Sequence, residues 1–226
     1  MKKIMFMIPS LGSGGAETIL VDILNKFDNK NLDITLIVLN KSGENLKKLT
    51  SNYNIIFLNN KNNTIINKIQ KFTIKYFPKF FYCKNIKNSY DIEIAFLEGL
   101  ATKVIANSTN KKSKKIAWVH CDLKKYNWVR RYFKNNNEYE KVYNKFNDII
   151  FVSKACKNSF ESIIKNNSFK KVIYNPINKK NILSKSKESK IYFKRKTIVA
   201  IGTLSKVKGF ERLIDAYINK EDSIDY

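Results

Sequence analysis

A glycine-rich segment near the start of this 226-residue chain is a candidate anion-binding turn. Gly12-Ser13-Gly14-Gly15 comes shortly after the largely apolar run Lys3–Ile8, and the following AETILVDILNKF has helical spacing of its apolar residues. Glycines let a ligand approach the backbone closely, and the first turn of a helix offers free N–H groups to an anion. The same pattern is also ordinary strand-to-helix geometry, so both interpretations stay open.

The glycines do not complete the dinucleotide fingerprint. Gly12 and Gly14 fit the start of G-x-G-x-x-G, but Glu17 occupies the place of the third glycine. No cofactor is expected.

Titratable and polar side chains follow four later strand patterns. Glu98 follows the fourth pattern, His120 the fifth, Ser153 the sixth (DIIFV) and Asn175 the seventh (KVIY). Glu98 is expected at the edge of a cleft. It could instead lie near a helix N-terminus, where the helix dipole stabilises a carboxylate. His120 could act in the cleft or be a hydrogen-bonded structural residue.

Strand and helix patterns alternate along the chain, with helices expected near 16–27, 43–50, 99–108 and 154–165. This order predicts an α/β domain with a doubly wound parallel sheet. Ligands bind such sheets beyond the carboxyl ends of the strands, where the residues above lie. The predicted strands are Lys3–Ile8, Leu32–Leu39, Asn54–Leu58, Asp91–Leu97, Lys115–Val119, Asp148–Val152 and Lys171–Tyr174.

The pattern changes after residue 177. Residues 178–195 are rich in Ser and Lys and are predicted to be a linker. Residues 196–226 begin with KTIVAIGTLSKVKGFERLIDAYIN, which is typical of the first strand, loop and helix of a second domain of the same type. We expect the chain to be truncated early in this domain, and one βα unit cannot bury both faces of its strand.

The charge favours anionic partners. The chain has 43 Lys and Arg against 19 Asp and Glu, for a net charge of +24. Only four of the basic residues are Arg, which disfavours a sequence-specific nucleic-acid reader. Alternatively, Lys and Asn could simply be the residues that occupy solvated positions in this chain, which would explain much of the charge without an anionic partner.

Other functional classes have little support in the sequence. The three cysteines are widely spaced and are expected to be reduced, mostly buried thiols of a cytoplasmic protein. With a single histidine, no metal site is expected. No apolar run approaches the ~20 residues of a membrane-spanning helix, and the N-terminus lacks the apolar segment of a signal peptide.

Six segments together resemble the glycosyltransferases of family 4, also called glycosyl transferases group 1. They are IPSLGSGGAE, FLEG, WVH, FVSK, YNPI and AIGTLSKVKGFERLIDA, in family order over nearly the whole chain. The resemblance implies a GT-B fold, in which two Rossmann-like domains face each other across a cleft. Residues 1–177 would be the acceptor-side domain, and residues 196–226 would begin the domain that binds the nucleotide sugar.

The resemblance also implies a reaction and its residues. A sugar would pass with retention from a nucleoside diphosphate to a glycan or lipid-linked acceptor, without a metal, in the synthesis of a surface polysaccharide. Gly14 and Gly15 would lie near the donor phosphate and the acceptor, and His120 would reach the sugar. Asn175 would lie where the domains meet, and Lys208 would neutralise the diphosphate.

Two departures from the family pattern affect the donor site. Thr203 stands where the family often has an arginine that grips phosphate. No two glutamates of this sequence are eight positions apart, although the family uses such a pair on the donor. The 226-residue chain alone is therefore not expected to transfer sugar at an appreciable rate.

Three alternatives stay open. The chain could be a non-catalytic remnant that binds acceptor or membrane, because residues 64–84 combine apolar, aromatic and Lys residues without an acid. A separate chain could supply the missing half of a split transferase. Residues 124–134 interleave aromatic and basic side chains, which would suit an acceptor cleft or, less well, nucleic acid. The expected location is the cytoplasm, with peripheral contact at an anionic membrane.

Overall fold

Seven parallel strands form one sheet in the computed structural model, which describes residues 1–27, 31–50, 53–61, 63–165, 167–188 and 192–218. Their order across the sheet is β3-β2-β1-β4-β5-β6-β7. This order is that of a doubly wound Rossmann-like sheet, and the predicted fold class is confirmed. The strands are β1 Lys2–Ile8, β2 Leu32–Asn40, β3 Asn54–Asn59, β4 Ile92–Ala95, β5 Lys114–Val119, β6 Asp148–Phe151 and β7 Phe169–Val172.

The chain divides into two compact units, Met1–Ile177 and Asn178–Tyr226. The first unit contains the sheet and α1 to α6, and the second contains α7 and α8. Short 3₁₀ helices occupy Glu44–Lys48, Arg130–Tyr132 and Lys206–Lys208. The α-helices are α1 Gly15–Leu24, α2 Thr64–Tyr76, α3 Pro78–Asn85, α4 Leu100–Ile105, α5 Asn136–Tyr143, α6 Lys154–Glu161, α7 Lys179–Glu188 and α8 Phe210–Ile218.

Both faces of the sheet are buried, which explains the apolar run of β1. Met5 and Met7 belong to one core cluster, whereas Ile4, Phe6 and Ile8 belong to the other. Successive side chains of a strand point to opposite faces, so a strand between two layers of helices must be apolar at every position. Helix α1 packs on the face of Phe6, and α2 to α6 pack on the face of Met7.

The second unit differs from the prediction in two ways. The predicted linker contains α7, and no strand occurs in the described residues 192–218, although KTIVAIG predicts one. A strand is stabilised by hydrogen bonds to a neighbouring strand, and residues 196–201 have no such neighbour among the described residues. Their apolar side chains are exposed, including Ile198, Val199 and Ile201.

Within the described ranges, no helix has both the length and the apolar character needed to cross a membrane.

Candidate functional site

The carboxyl ends of β1, β4 and β5 lie side by side at one edge of the sheet. The chain order of the strands reverses between β1 and β4, which is the position where ligands bind in sheets of this kind. Only β4 separates β1 from β5, so the axes of these two strands are about 10 Å apart. The Gly12–Gly15 turn after β1 and His120 after β5 are therefore brought to the same edge.

The Gly12–Gly15 turn is held by residues that follow β2. Asn45 is fully buried, and its Nδ2 donates to the carbonyl oxygen of Gly12 at 2.5 Å and to Thr18 Oγ1 at 3.1 Å. Gly43 has a φ of +114°, and a Cβ at that position would lie 1.9 Å from the carbonyl oxygen of Leu11. Only glycine fits there, so Gly43 and Asn45 fix the path of the turn. Sequence reasoning missed both, although Gly43 follows a predicted strand at the same edge.

Gly14 and Gly15 begin helix α1. Gly14 is the N-cap residue with extended backbone, and it contributes no side-chain cap. A Cβ on Gly14 would lie 2.3 Å from Oε2 of Glu17, whereas a Cβ on Gly15 would meet nothing within 4 Å. The Glu17 carboxylate thus lies against Gly14. A phosphate bound at this turn would be close to that negative charge unless the flexible Glu17 side chain moves.

His120 presents a neutral imidazole next to this edge. Its ring packs on Phe96 with 4.9 Å between ring centroids and stacks on Trp118 at 6.1 Å. Burial lowers the pKa of His120 to about 4, so the ring is uncharged at neutral pH. Nε2 is buried and meets no hydrogen-bond partner among the described residues. An unpaired buried nitrogen is costly, and a ligand hydroxyl would satisfy it once neighbouring side chains move to admit the ligand.

Glu98 is not placed as expected from the sequence. Its side chain is 1% exposed, and Oε1 accepts hydrogen bonds from the backbone N–H groups of His120 at 3.1 Å and Cys121 at 2.9 Å. The positive φ of Gly99 (+93°) turns the chain into α4 directly afterwards. Burial raises the pKa of Glu98, and the hydrogen bonds to its carboxylate oppose that rise. Glu98 therefore positions the segment that carries His120 and does not form an open edge of the cleft.

Ser153 and Asn175 have different surroundings. The Ser153 hydroxyl is the N-cap of α6 and accepts from the backbone N–H of Cys156 at 3.1 Å, which is a sufficient structural reason for a serine. Asn175 follows β7 and is half-buried. Its Oδ1 is buried and has no hydrogen-bond partner among the described residues.

Thr203 and Lys208 belong to the second unit. Lys208 is exposed at the end of the 3₁₀ helix Lys206–Lys208, and Gly209 with φ +68° leads into α8. A cavity of about 340 Å³ next to this turn is lined by Ser205, Lys206 and Phe210, among others. Thr203 is also exposed.

Potential metal ligands are scattered in the part of the chain that the structure describes. No group of three or more His, Cys, Asp or Glu side chains there could hold a metal ion. The three cysteines are free, and only Cys156 is fully buried, whereas Cys83 is exposed.

No family model matches the chain, and no curated protein matches it. Solved structures do share its fold. The crystal structure of Anabaena HepE with UDP and glucose matches with a TM-score of 0.52 and 17% identity over 78% of this chain. The HepE structure with UDP-glucose gives the same TM-score and identity. The lipopolysaccharide outer core galactosyltransferase WaaB, in its apo form, matches with a TM-score of 0.49 and 16% identity.

The chain spans 45% of the length of the first of these structures. At such identities the likeness concerns the fold alone. It supports the α/β, GT-B-type fold class over about half of such a chain.

Proposed function

We propose that this chain forms one wall of a nucleotide-sugar glycosyltransferase of the GT-B type, as its resemblance to family 4 implies. The reaction would transfer a sugar with retention to a hydroxyl of a glycan or lipid-linked acceptor, in the synthesis of a surface polysaccharide. One observation carries the proposal. The Gly12–Gly15 turn and the neutral His120 lie at the same edge of the sheet, where the strand order reverses. The likeness in fold to HepE, whose structures hold UDP and glucose or UDP-glucose, supports a nucleotide sugar as the ligand.

Each residue has a proposed role. The Gly12–Gly15 turn and the N-terminus of α1 would face the diphosphate, because free N–H groups favour an anion there. His120 would hydrogen-bond a sugar hydroxyl through its unpaired Nε2, and Glu98 would hold the His120 backbone in place. Lys208 would offset the negative charge that develops as the nucleoside diphosphate leaves. Thr203 would contribute at most a hydroxyl to that site.

The proposal includes no bound metal, as the resemblance implies. The sequence lacks the glutamate pair that the family uses on the donor, so we expect the 226-residue chain to bind nucleotide sugar weakly and to transfer sugar poorly. Transfer that persists in excess chelator would support the metal-free reaction. The anomer formed first in an NMR time course would test retention.

The nucleotide site has a matched pair of test variants at Gly15. The space around Gly15 accepts a Cβ, so Gly15→Ala and Gly15→Asp should both fold. UDP-glucose binding, measured by calorimetry or NMR, should weaken by about tenfold or more in Gly15→Asp, because a carboxylate there repels the diphosphate. Gly15→Ala should bind like the parent chain. Equal binding by both variants would contradict a diphosphate site at this turn.

A split transferase is a second candidate. Apolar side chains of the second unit are exposed, with Ile201 at 93% and Leu204 at 92%, and Leu213, Ile214 and Tyr217 of α8 are exposed as well. A separate polypeptide that covers them and carries donor-binding residues would complete the site. Co-expression with a donor-domain polypeptide should then restore transfer. Loss of that rescue in a Leu213→Ser/Tyr217→Ser variant would support the split enzyme, whereas failure to rescue would contradict it.

A further inference from the structure

Helices α2 and α3 carry a large apolar surface that nothing in the described chain covers. Its side chains have exposed fractions from 41% to 67%. Large apolar side chains exposed together on one part of the surface mark an interaction site on many proteins. We call it the α2–α3 face, and its members are Ile65, Ile66, Ile69, Phe72, Tyr76, Phe77 and Phe80.

The α2–α3 face is a consequence of how α2 packs. Ile74 is fully buried in the core, and Gln70 beside it donates to the carbonyl oxygen of Leu39 at 3.4 Å. At about 100° per residue, the stripe of Ile65, Ile69, Phe72 and Tyr76 lies well away from that buried side. A helix that only covered the sheet would have polar residues there. Packing of the first unit therefore does not explain the outward apolar stripe.

The charge that α2 and α3 themselves contribute has one sign. The sequence from 63 to 90 contains no Asp or Glu. Lys68, Lys71 and Lys75 occupy one flank of α2 next to the stripe, since they are spaced three and four residues apart. Lys75 and Lys134 also place their Nζ atoms 5.8 and 5.6 Å from the centre of the Tyr76 ring.

We infer that the α2–α3 face docks on the surface of an anionic bilayer. An amphipathic helix with an apolar stripe and a lysine flank lies in the membrane interface, with its apolar side chains among the acyl chains and its cations at the headgroups. Pairing of two copies through this face would bring like charges together, and each chain already carries a net charge of +24. A bilayer of opposite charge satisfies both the apolar and the cationic part of the surface.

The placement of α2 suits an acceptor held at a membrane. Helix α2 begins just after the carboxyl end of β3, and Gln70 contacts Leu39 near the carboxyl end of β2. The docking face therefore starts at the sheet edge that carries the candidate site. The inference itself does not depend on sugar transfer, because binding to vesicles is measured without a nucleotide.

The test is flotation of the 226-residue protein with vesicles. Vesicles with equal parts phosphatidylglycerol and phosphatidylcholine should bind the parent chain at low salt, and pure phosphatidylcholine vesicles should bind it far less. The triple variant Ile65→Ser/Ile69→Ser/Phe72→Ser should lose about tenfold or more in affinity. Its matched control, Phe169→Ser/Tyr174→Ser/Ile177→Ser, removes equally exposed apolar side chains elsewhere and should bind like the parent chain.

A second pair of variants separates local charge from total charge. Lys68→Gln/Lys71→Gln/Lys79→Gln removes two cations of the α2 flank and the exposed Lys79 of α3, and should weaken binding about 100-fold at low salt. Lys111→Gln/Lys112→Gln/Lys154→Gln removes the same total charge from other exposed positions and should have a much smaller effect. Equal losses in both variants would overturn the assignment of this face. No vesicle binding by the parent chain, or equal binding to neutral and anionic vesicles, would overturn the inference.

Phe72→Trp gives a readout that does not depend on affinity. Phe72 is 58% exposed, so the introduced indole should emit as a solvated group in buffer and shift to the blue on anionic vesicles. Its emission is read as the difference from the parent chain, which contains Trp118 and Trp128. An unchanged emission of vesicle-bound protein would show that another surface docks. Concentration-dependent dimers that the Ile65/Ile69/Phe72 serine variant abolishes, without vesicle binding, would identify a second copy as the occupant and overturn the inference.

Discussion

Replacement of His120 by Asn should remove a pH dependence of folding stability that the structure assigns to this side chain. Burial lowers the pKa of His120 from 6.5 to about 4. The unfolded chain takes up a proton on His120 as the pH falls through 6.5, whereas the folded chain does not until about pH 4. The stabilising contribution is therefore fully present above pH 6.5 and is lost as the pH falls from there towards 4. Between about pH 7.5 and pH 5 the loss should be roughly 2 kcal/mol.

Urea denaturation followed by far-UV circular dichroism measures this difference. The free energy of unfolding of the parent chain should fall relative to that of His120→Asn by roughly 2 kcal/mol over that range. Burial raises the pKa of Glu98, so Glu98 contributes with the opposite sign. Because both proteins retain Glu98, its contribution cancels to first order, and the same comparison in a Glu98→Gln background controls for coupling between the two groups.

NMR gives a direct check, since His120 is the only histidine of the chain. Its ring signals should titrate near pH 4 in the folded protein. A midpoint near the ordinary value of 6.5, or parallel stability curves for the parent and His120→Asn proteins, would show that burial does not lower this pKa.

Three further sets of variants test buried polar side chains of the first unit. Lys103→Met should destabilise the protein by about 3 kcal/mol in urea denaturation. The buried Lys103 ammonium donates to the carbonyl oxygens of Lys75 and Tyr132 and pairs with the Glu138 carboxylate. The control Lys114→Met breaks the more exposed pair with Asp148 and should cost less than about 1 kcal/mol. Equal effects would contradict the assigned burial. Glu98→Ala should lower the free energy of unfolding by about 3 kcal/mol and Glu98→Gln by about 1 kcal/mol, since the Gln amide oxygen can still accept from the His120 and Cys121 N–H groups. A smaller loss in the Ala variant than in the Gln variant would argue against these hydrogen bonds. Asn45→Ala should cost about 2 kcal/mol and accelerate amide exchange in the Gly12–Gly15 turn, and unchanged exchange there would show that Asn45 does not hold the turn.

The sheet could be predicted because its strands are buried on both faces. A run such as LDITLIVL of β2 has no polar alternation, and the intervening helical patterns leave a parallel sheet as the only economical arrangement. The strand at 196–201 was wrongly predicted from the same kind of run. Local pattern does not report whether a partner strand exists, and this run lacks one among the described residues.

The positions of the candidate residues at strand ends could be predicted from the sequence, but their surroundings could not. Strand ends identify His120 and the Gly12–Gly15 turn, because parallel strands end at one edge. The burial of Glu98 and Lys103 could not be predicted from the sequence, because a charged residue inside a core depends on partners distant in sequence. Glu98 meets the backbone of His120 across 22 positions, and Lys103 meets that of Lys75 across 28.

The central claim is that a nucleotide sugar binds at the edge shared by the Gly12–Gly15 turn and His120. A titration of isotope-labelled protein with UDP-glucose, followed by NMR, tests it most directly. We expect saturable shifts of the Gly14 and Gly15 amides together with the His120 ring signals. Saturable binding that leaves both regions unchanged would contradict it.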